Sequence, residues 1–363
     1  MGLVVTYAPE GGDGSAQHEV AARVGIAQML AALQGFEFGG GYEPSLRRSA
    51  PLYFVPSQTL SSAEAGELGI RGEQDLFGGV VPHPFMANKT IAHPLAAGAH
   101  RPRGWPSDFA ARVGNLVLPG FAAFTRTDAR RAAQSLLADG PVRLKPGRGI
   151  GGRGQVVIED ADDPVFDDLD AEELAQHGLV VEPDLEEITT FSVGRVRVGE
   201  MRAAYCGTQR TTHDNEGQPA YGGSDLLIVR GGFDELRQLN LPPHVIAAVS
   251  QAQAFDAAAA GLEGMFASRR NYDVLSGRDA RGRRHCGVLE QSWRMGGASG
   301  PEVAALAAFD ADPGLRAVHA RSTEAYDADA PLPAGAMVHF RGVDRRAGPM
   351  TKYTVVEQYE RAR

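Results

Sequence analysis

Apolar positions along the first part of the chain follow two periods, and the two alternate. LVVTY at residues 3–7 is a short strand-like run. Residues 19–33 carry apolar or small side chains at helical spacing, at Val20, Val24, Ala27, Leu30 and Ala31. LYFVP, within residues 45–57, is a second strand-like run. Residues 61–68 read as a helix with Ser61 or Ser62 as its cap, Glu64 in its first turn and Gly69-Ile70 closing it. FGGVVPHPF at 77–85 is a third apolar run. Strand and helix in alternation predict a small α/β unit on a mostly parallel sheet.

Beyond residue 88 the pattern shifts toward strands. Lys89, in ANKTIAHPL, stands at the head of a helix. Residues 100–115 are rich in Pro, Gly and Arg and read as an irregular connection. NLVLPGFAAF brings a short strand and a turn at Pro119-Gly120. Residues 127–138 form an amphipathic helix, begun by Asp128 and stopped by Asp139-Gly140-Pro141. Strands are expected at 142–145, 156–158 and 179–181, with a short helix up to Gln176 between the last two. Residues 191–198 and 201–207 read as a hairpin around Gly199. The segment 208–223 is polar and reads as a flexible loop, followed by a short strand at 226–229 and a helix over 245–260. A strand near 271–275 carries Asp273, and a polar turn at 277–284 leads into GVLEQSWRMGGASG at 287–300. A helix at 302–309 and tail strands at 337–340 and 353–356 complete the pattern.

Composition narrows the class. At 363 residues, 43% hydrophobic and 22% charged, the chain is globular and long enough for two or three packed units. A net charge of −9 argues against a broad nucleic-acid or anionic-membrane surface. The first thirty residues do not have the form of a signal peptide, and no run of about eighteen apolar residues spans a membrane. Cys206 and Cys286 could pair only if the fold brings them together, and two cysteines make neither a disulfide framework nor a zinc site, so a cytoplasmic, reduced protein is the default. Of the 36 basic residues, all but Lys89, Lys145 and Lys352 are arginine. A lysine kept against that bias points to a need for a compact ammonium.

Lys145 stands at the root of VRLKPGRGIGGRGQVVIED, whose loop holds glycines at 147, 149, 151, 152 and 154. Gly147, Gly149 and Gly152 match the dinucleotide spacing, but the loop opens a β-branched run where that motif must open a helix. A P-loop is excluded because its lysine follows the glycines. The remaining reading is a glycine-rich hairpin flap whose backbone N–H groups can fold over phosphates. The bland alternative is a merely flexible hairpin.

Residues 287–300 place Glu290 just beyond an apolar run, then Ser292, Arg294 and a glycine turn. Alone, that is either a loop ion pair or a place for chemistry. Asp273 and Glu290 lie on strands joined by the turn at 277–284, and two carboxylates on adjacent strands can share Mg²⁺. His83, His93, His213 and His285 have no metal-like spacing and read as ordinary polar residues.

Taken in order, these features resemble the ATP-grasp superfamily, over roughly residues 89–305. RLKPGRGIGGRGQ looks like the family's lysine and glycine-rich loop, VVEPDLEE like its hinge strand, and NYDV with GVLEQSWRMGGAS like its metal-binding pair. The resemblance implies an α/β (α+β) ATP-grasp fold with an N-terminal Rossmann-like unit. It implies that Lys89, Lys145 and the loop glycines Gly149, Gly151 and Gly152 contact phosphates, and that Glu182 and Leu185 hold adenine. Asp273, Glu290 and Ser292 would ligate Mg²⁺, and Arg294 would steady the γ-phosphate or an acyl phosphate, making Arg294 and Lys145 the catalytic candidates. Two positions depart from the family pattern: Ser292 stands where an Asn is usual, and Pro183 removes a backbone donor from the hinge. The chain also looks like an uncharacterised bacterial ATP-grasp-like family, a domain of unknown function.

The implied organisation is an N-terminal unit at 1–88, a lid at 89–205, a C-terminal subdomain with the Mg²⁺ site at 206–330 and an extension at 331–363. The implied activity is an ATP- and Mg²⁺-dependent ligase joining a small carboxylate to an amine through an acyl phosphate. A kinase or carboxylase-like enzyme and a non-catalytic ATP-binding regulator stay open. Neither nucleic acid nor membrane is an expected partner. The oligomeric state is open, a homodimer included.

Overall fold

The computed structural model describes residues 2–9, 14–48, 50–148 and 154–361. Its first unit is the α/β layer expected from the sequence. Leu3–Tyr7 pairs in parallel with Glu37–Gly41 on one side and Leu52–Pro56 on the other. Helix Gln17–Gln34 makes the crossover and buries Ile26, Ala27 and Leu30. Helix Ser62–Leu68 begins in a reciprocal cap. Ser61 Oγ accepts from the Glu64 N–H, and the Glu64 carboxylate accepts from the Ser61 N–H. Gly79–Val81 pairs in parallel with Leu60–Ser61 and antiparallel with Phe266–Ala267, so a distant part of the chain docks onto this unit.

A four-stranded sheet, antiparallel throughout, runs in the order Phe121–Ala123, Leu179–Pro183, Val142–Pro146, Val156–Ile158. Helix Arg126–Leu136 covers it, with Ala129, Ala132 and Ala133 against Val142, Leu144 and Val181. Thr125, one residue ahead, caps that helix by accepting from Asp128 N–H.

The largest sheet has eight antiparallel strands. Their order is Arg284–Ser292, Arg269–Arg278, Glu186–Val198, Met201–His213, Pro219–Arg230, Leu315–Ala325, Gly348–Arg361, Met337–Asp344. One face packs Tyr272, Val274 and Cys206 on helix Pro243–Ala260. The other packs Tyr205, Leu226 and Ile228 on helix Ser299–Ala311 and on the first unit. No helix among the described residues is long and apolar enough to cross a membrane.

The structure departs from the sequence expectations at three places. Residues 208–223 are not a flexible loop. Apart from the turn at 214–218, they belong to two long strands paired from Thr208↔Asp225 to His213↔Pro219, with a bulge after Arg210. Both faces of this hairpin are polar, so no alternation betrays it, and cross-strand pairing decides. Residues 100–115 are not wholly irregular, because Ser107–Val113 is a helix that buries Phe109, Ala110 and Val113. The strand Leu315–Ala325 was not anticipated, and it links the tail strands into the central sheet. Cys206 and Cys286 are both free thiols.

Asp344 ties the two ends of the chain together. Its buried carboxylate accepts from the His18 N–H (2.9 Å) and, in the turn after its own strand, from Arg346 N–H (2.7 Å) and Ala347 N–H (2.9 Å). His18 Nδ1 lies 3.0 Å away. Burial pushes its pKa up, but these N–H groups outweigh that and hold it well below the usual carboxylate range. A depressed carboxylate stabilises the fold above its unfolded pKa of about 3.9 and loses that contribution as pH falls through the folded value. Asp344→Asn is therefore expected to lower stability by about 1–3 kcal/mol near neutral pH. In urea unfolding the gap to wild type should narrow as the pH is brought down toward about 3.

Candidate active site

The strand Val142–Pro146, which carries Lys145, and the strand Leu179–Pro183 lie side by side, with Arg143 opposite Glu182 and Lys145 opposite Val180. Both charged groups are buried: Lys145 is 4% exposed and Glu182 2%. Lys145 Nζ forms a close ion pair with Glu182 Oε1. The other oxygen of Glu182 lies 3.8 Å from His93 Nε2. Burial lowers the His93 pKa to about 4, against the pull of Glu182 and with the help of Lys145, so the imidazole is neutral. Gly120 makes this packing possible, because a Cβ there would sit 2.6 Å from the Val181 carbonyl oxygen. Just past the strand Leu179–Pro183, Leu185 packs with Leu118 and Leu275, and Leu289 lies against them. Leu275 and Leu289 come from the eight-stranded sheet, so an apolar patch joins the two sheets beside the buried ion pair.

Lys89 sits in the turn Lys89–Ala92, capped by the Asn88 side chain, which accepts from Thr90 N–H at 2.9 Å. Its ammonium donates to the carbonyls of Pro146 and Gly147, both at 3.3 Å, at the root of the glycine loop. The same ammonium is 3.3 Å from Glu290 Oε2. One lysine thus connects the loop root to the central sheet. Gly149, Gly151 and Gly152 lie outside the described residues.

Asp273 and Glu290 face each other across neighbouring strands. Strict alternation would not place them so. Val274 opposes Val288 toward the core, and a plain ladder would send Glu290 to that same face. A bulge between these pairs shifts the register, so Asp273 opposes Glu290 and Asn271 opposes Ser292. Asp273 Oδ1 accepts from Gln209 Nε2 (2.8 Å) and Asn271 Nδ2 (3.0 Å). Its pKa is raised to about 6, first by burial and then by the neighbouring Glu290 charge, with the two amides opposing. Arg294 is half-buried at the strand end and donates to the Met295 carbonyl at 3.0 Å. Burial lowers its pKa, with Glu290 the main opposing charge.

The Glu290 charge, which raises the proton affinity of Asp273, faces it across the strand pair, and a hard divalent cation would relieve their repulsion. No cluster of three or more His, Cys, Asp or Glu side chains able to hold a metal occurs among the described residues. The donor set matches an ion such as Mg²⁺, which takes one or two carboxylates from the protein and the rest of its ligands from water and phosphate. Sequence reasoning passed over His93, treated as an ordinary polar residue, although it lies four residues after Lys89. It also passed over Gln209, hidden in the supposed loop, and Asn271, two residues before Asp273.

A family model described as a protein of unknown function (DUF3182) matches residues 6–354. No curated protein sequence matches. Among solved structures, a biotin carboxylase from Campylobacter jejuni in complex with β,γ-ATP aligns over 98% of this chain and 87% of its own, at 13% identity and a TM-score of 0.52. An N5-carboxyaminoimidazole ribonucleotide synthetase in complex with ADP covers 98% and 92%, at 11% identity and 0.52. The biotin carboxylase domain of 2-oxoglutarate carboxylase from Hydrogenobacter thermophilus, a dimer with MgADP, ADP and bicarbonate, covers 99% and 90%, at 13% and 0.52. This likeness establishes the ATP-grasp fold.

Proposed function

The chain belongs to the DUF3182 family and has the ATP-grasp fold, and on that basis we propose that it is an ATP- and Mg²⁺-dependent ligase joining a small carboxylate to an amine. The observation that carries this reading is the bridge made by Lys89, whose ammonium meets the root of the glycine loop just after Lys145 and lies 3.3 Å from Glu290, the carboxylate facing Asp273. Lys145 and Lys89 would take phosphate oxygens, each by exchanging part of its present bonding. The hinge around Glu182, with Leu185, would hold the adenine. Asp273 and Glu290, with Ser292, would hold Mg²⁺, which when bound spreads the phosphate charge over a positive centre.

In the proposed reaction a substrate carboxylate oxygen attacks the γ-phosphorus. The bond from that phosphorus to the β,γ-bridging oxygen breaks, ADP leaves, and an acyl phosphate remains. An amine then attacks the acyl carbon, phosphate departs, and the amine nitrogen gives up a proton. Arg294 would steady the transferred group, since a guanidinium suits phosphate and carboxylate alike. The glycine loop would exclude water that would otherwise hydrolyse the acyl phosphate.

Phosphate release measured over a panel of amino acids and small carboxylates tests this. Release that requires both a carboxylate and an amine is the expected result. ADP formation with a single acceptor would point to a kinase or carboxylase-like reaction. Tight ATP binding with no turnover under any acceptor would point to a regulator.

A further inference from the structure

Below the carboxylate pair lies a second charged group, buried more deeply. Arg269 is 1% exposed and Glu302 0%. Arg269 Nε donates to both Glu302 oxygens, at 2.9 and 3.1 Å, and Nη2 lies 2.9 Å from Oε1. The remaining nitrogen, Nη1, donates to the main-chain carbonyls of Ser292 (3.3 Å) and Arg294. Those carbonyls mark where the strand Arg284–Ser292 ends and the chain turns toward helix Ser299–Ala311. On the other side, the Tyr205 hydroxyl donates to Glu302 Oε1 (2.6 Å) and lies 2.8 Å from Asn271 Oδ1. Ser192 Oγ also donates to Asn271 Oδ1 (2.7 Å), and Asn271 Nδ2 donates to Asp273 Oδ1 (3.0 Å).

We propose that Arg269 and Glu302 are positioning residues for the nucleotide–metal site. They hold the main chain at Ser292 and Arg294 and, through Tyr205 and Asn271, the orientation of the Asp273 carboxylate. The proposal rests on the ligase reading above and goes further by naming what aligns that site. A buried ion pair is a poor source of stability, because desolvation cancels most of its attraction and apolar side chains of like volume often serve as well. The arrangement suits alignment better. Only a planar fork can serve a carboxylate and two carbonyls at once, and Arg269 spends all three of its nitrogens this way. Every link ends on a residue whose placement matters to the carboxylate pair or to Arg294.

The test uses the full chain and calorimetric titration of ATP with Mg²⁺ and with EDTA. The double variant Arg269→Met/Glu302→Leu removes both charges and leaves none unpaired. It is expected to unfold within a few degrees of wild type, to bind ATP in EDTA as wild type does, and to lose about 10–100-fold of the Mg²⁺-dependent gain in affinity. Arg269→Lys keeps the charge balance but cannot reach all the acceptors, and should shift the Mg²⁺-dependent gain in the same direction by a smaller factor. Arg269→Lys decides the matter if the double variant does not fold. A Mg²⁺-dependent gain equal to wild type in the folded variants overturns this proposal alone. A wild-type protein whose ATP binding ignores Mg²⁺ overturns the nucleotide–metal reading and this proposal with it.

Discussion

Glu290→Gln is expected to leave the protein folded and to remove most of its Mg²⁺-dependent ATP binding. The substitution keeps the shape of the side chain and discards its charge. For a hard cation this takes away an anionic oxygen, and loss of even an outer partner of a metal site commonly costs 10–100-fold, so a drop of about 100-fold or more is expected. The effect on the metal-free protein is different. Asp273 is freed from a like charge that raises its pKa, while Lys89 loses a carboxylate 3.3 Å away but keeps the carbonyls of Pro146 and Gly147. These changes oppose each other, so thermal stability without metal should stay close to wild type. Titrating ATP at several Mg²⁺ concentrations, beside a thermal melt in EDTA, separates the two effects. Metal dependence untouched by the substitution would mean that the facing carboxylates are not a metal site.

Lys145→Ala should act on both binding and stability. The ammonium is buried against Glu182, and its removal leaves a carboxylate that is 2% exposed with the neutral His93 near its other oxygen. Breaking one side of a buried pair costs about 3–5 kcal/mol of stability. For ATP, losing a charged donor to phosphate costs about 1.5–3 kcal/mol, or roughly 10- to 150-fold in affinity. The two losses are separated by adding Glu182→Leu, since removing both charges should restore much of the stability without restoring the affinity. Calorimetry on the folded double variant reads the second loss alone. Wild-type affinity there would sink the phosphate role assigned to Lys145.

Much of the fold was legible in the sequence because local pattern carries it. The crossover helix, the Ser61 cap, the lysine-bearing hairpin and the strands around Asp273 all rest on residues close together in the chain. The hairpin Met201–Gly207 to Leu226–Val229 was only half visible. Its outer half is polar on both faces, and polar positions alone do not reveal a ladder. Leu315–Ala325 was missed although Val318 and Ala320 are buried, because Arg, His, Ser and Thr break up its alternation.

The order of the chemistry was a property of the sequence by itself. One lysine precedes the glycine loop, another stands at its root, an acid stands at the end of a later apolar strand, and two acids follow on a hairpin joined by a polar turn. Their juxtaposition was decided by the tertiary structure. A bulge turns Glu290 from the core face to the face of Asp273, and a change of one residue in register is invisible to a pattern of period two. Arg269 meets Glu302 across 33 positions and Lys145 meets Glu182 across 37. Charge spacing in the chain says nothing of such pairs, because burial and strand register choose the partner. Ser292, which stands where the resemblance calls for an Asn, is held in the structure by its main chain, through the carbonyl that Arg269 engages.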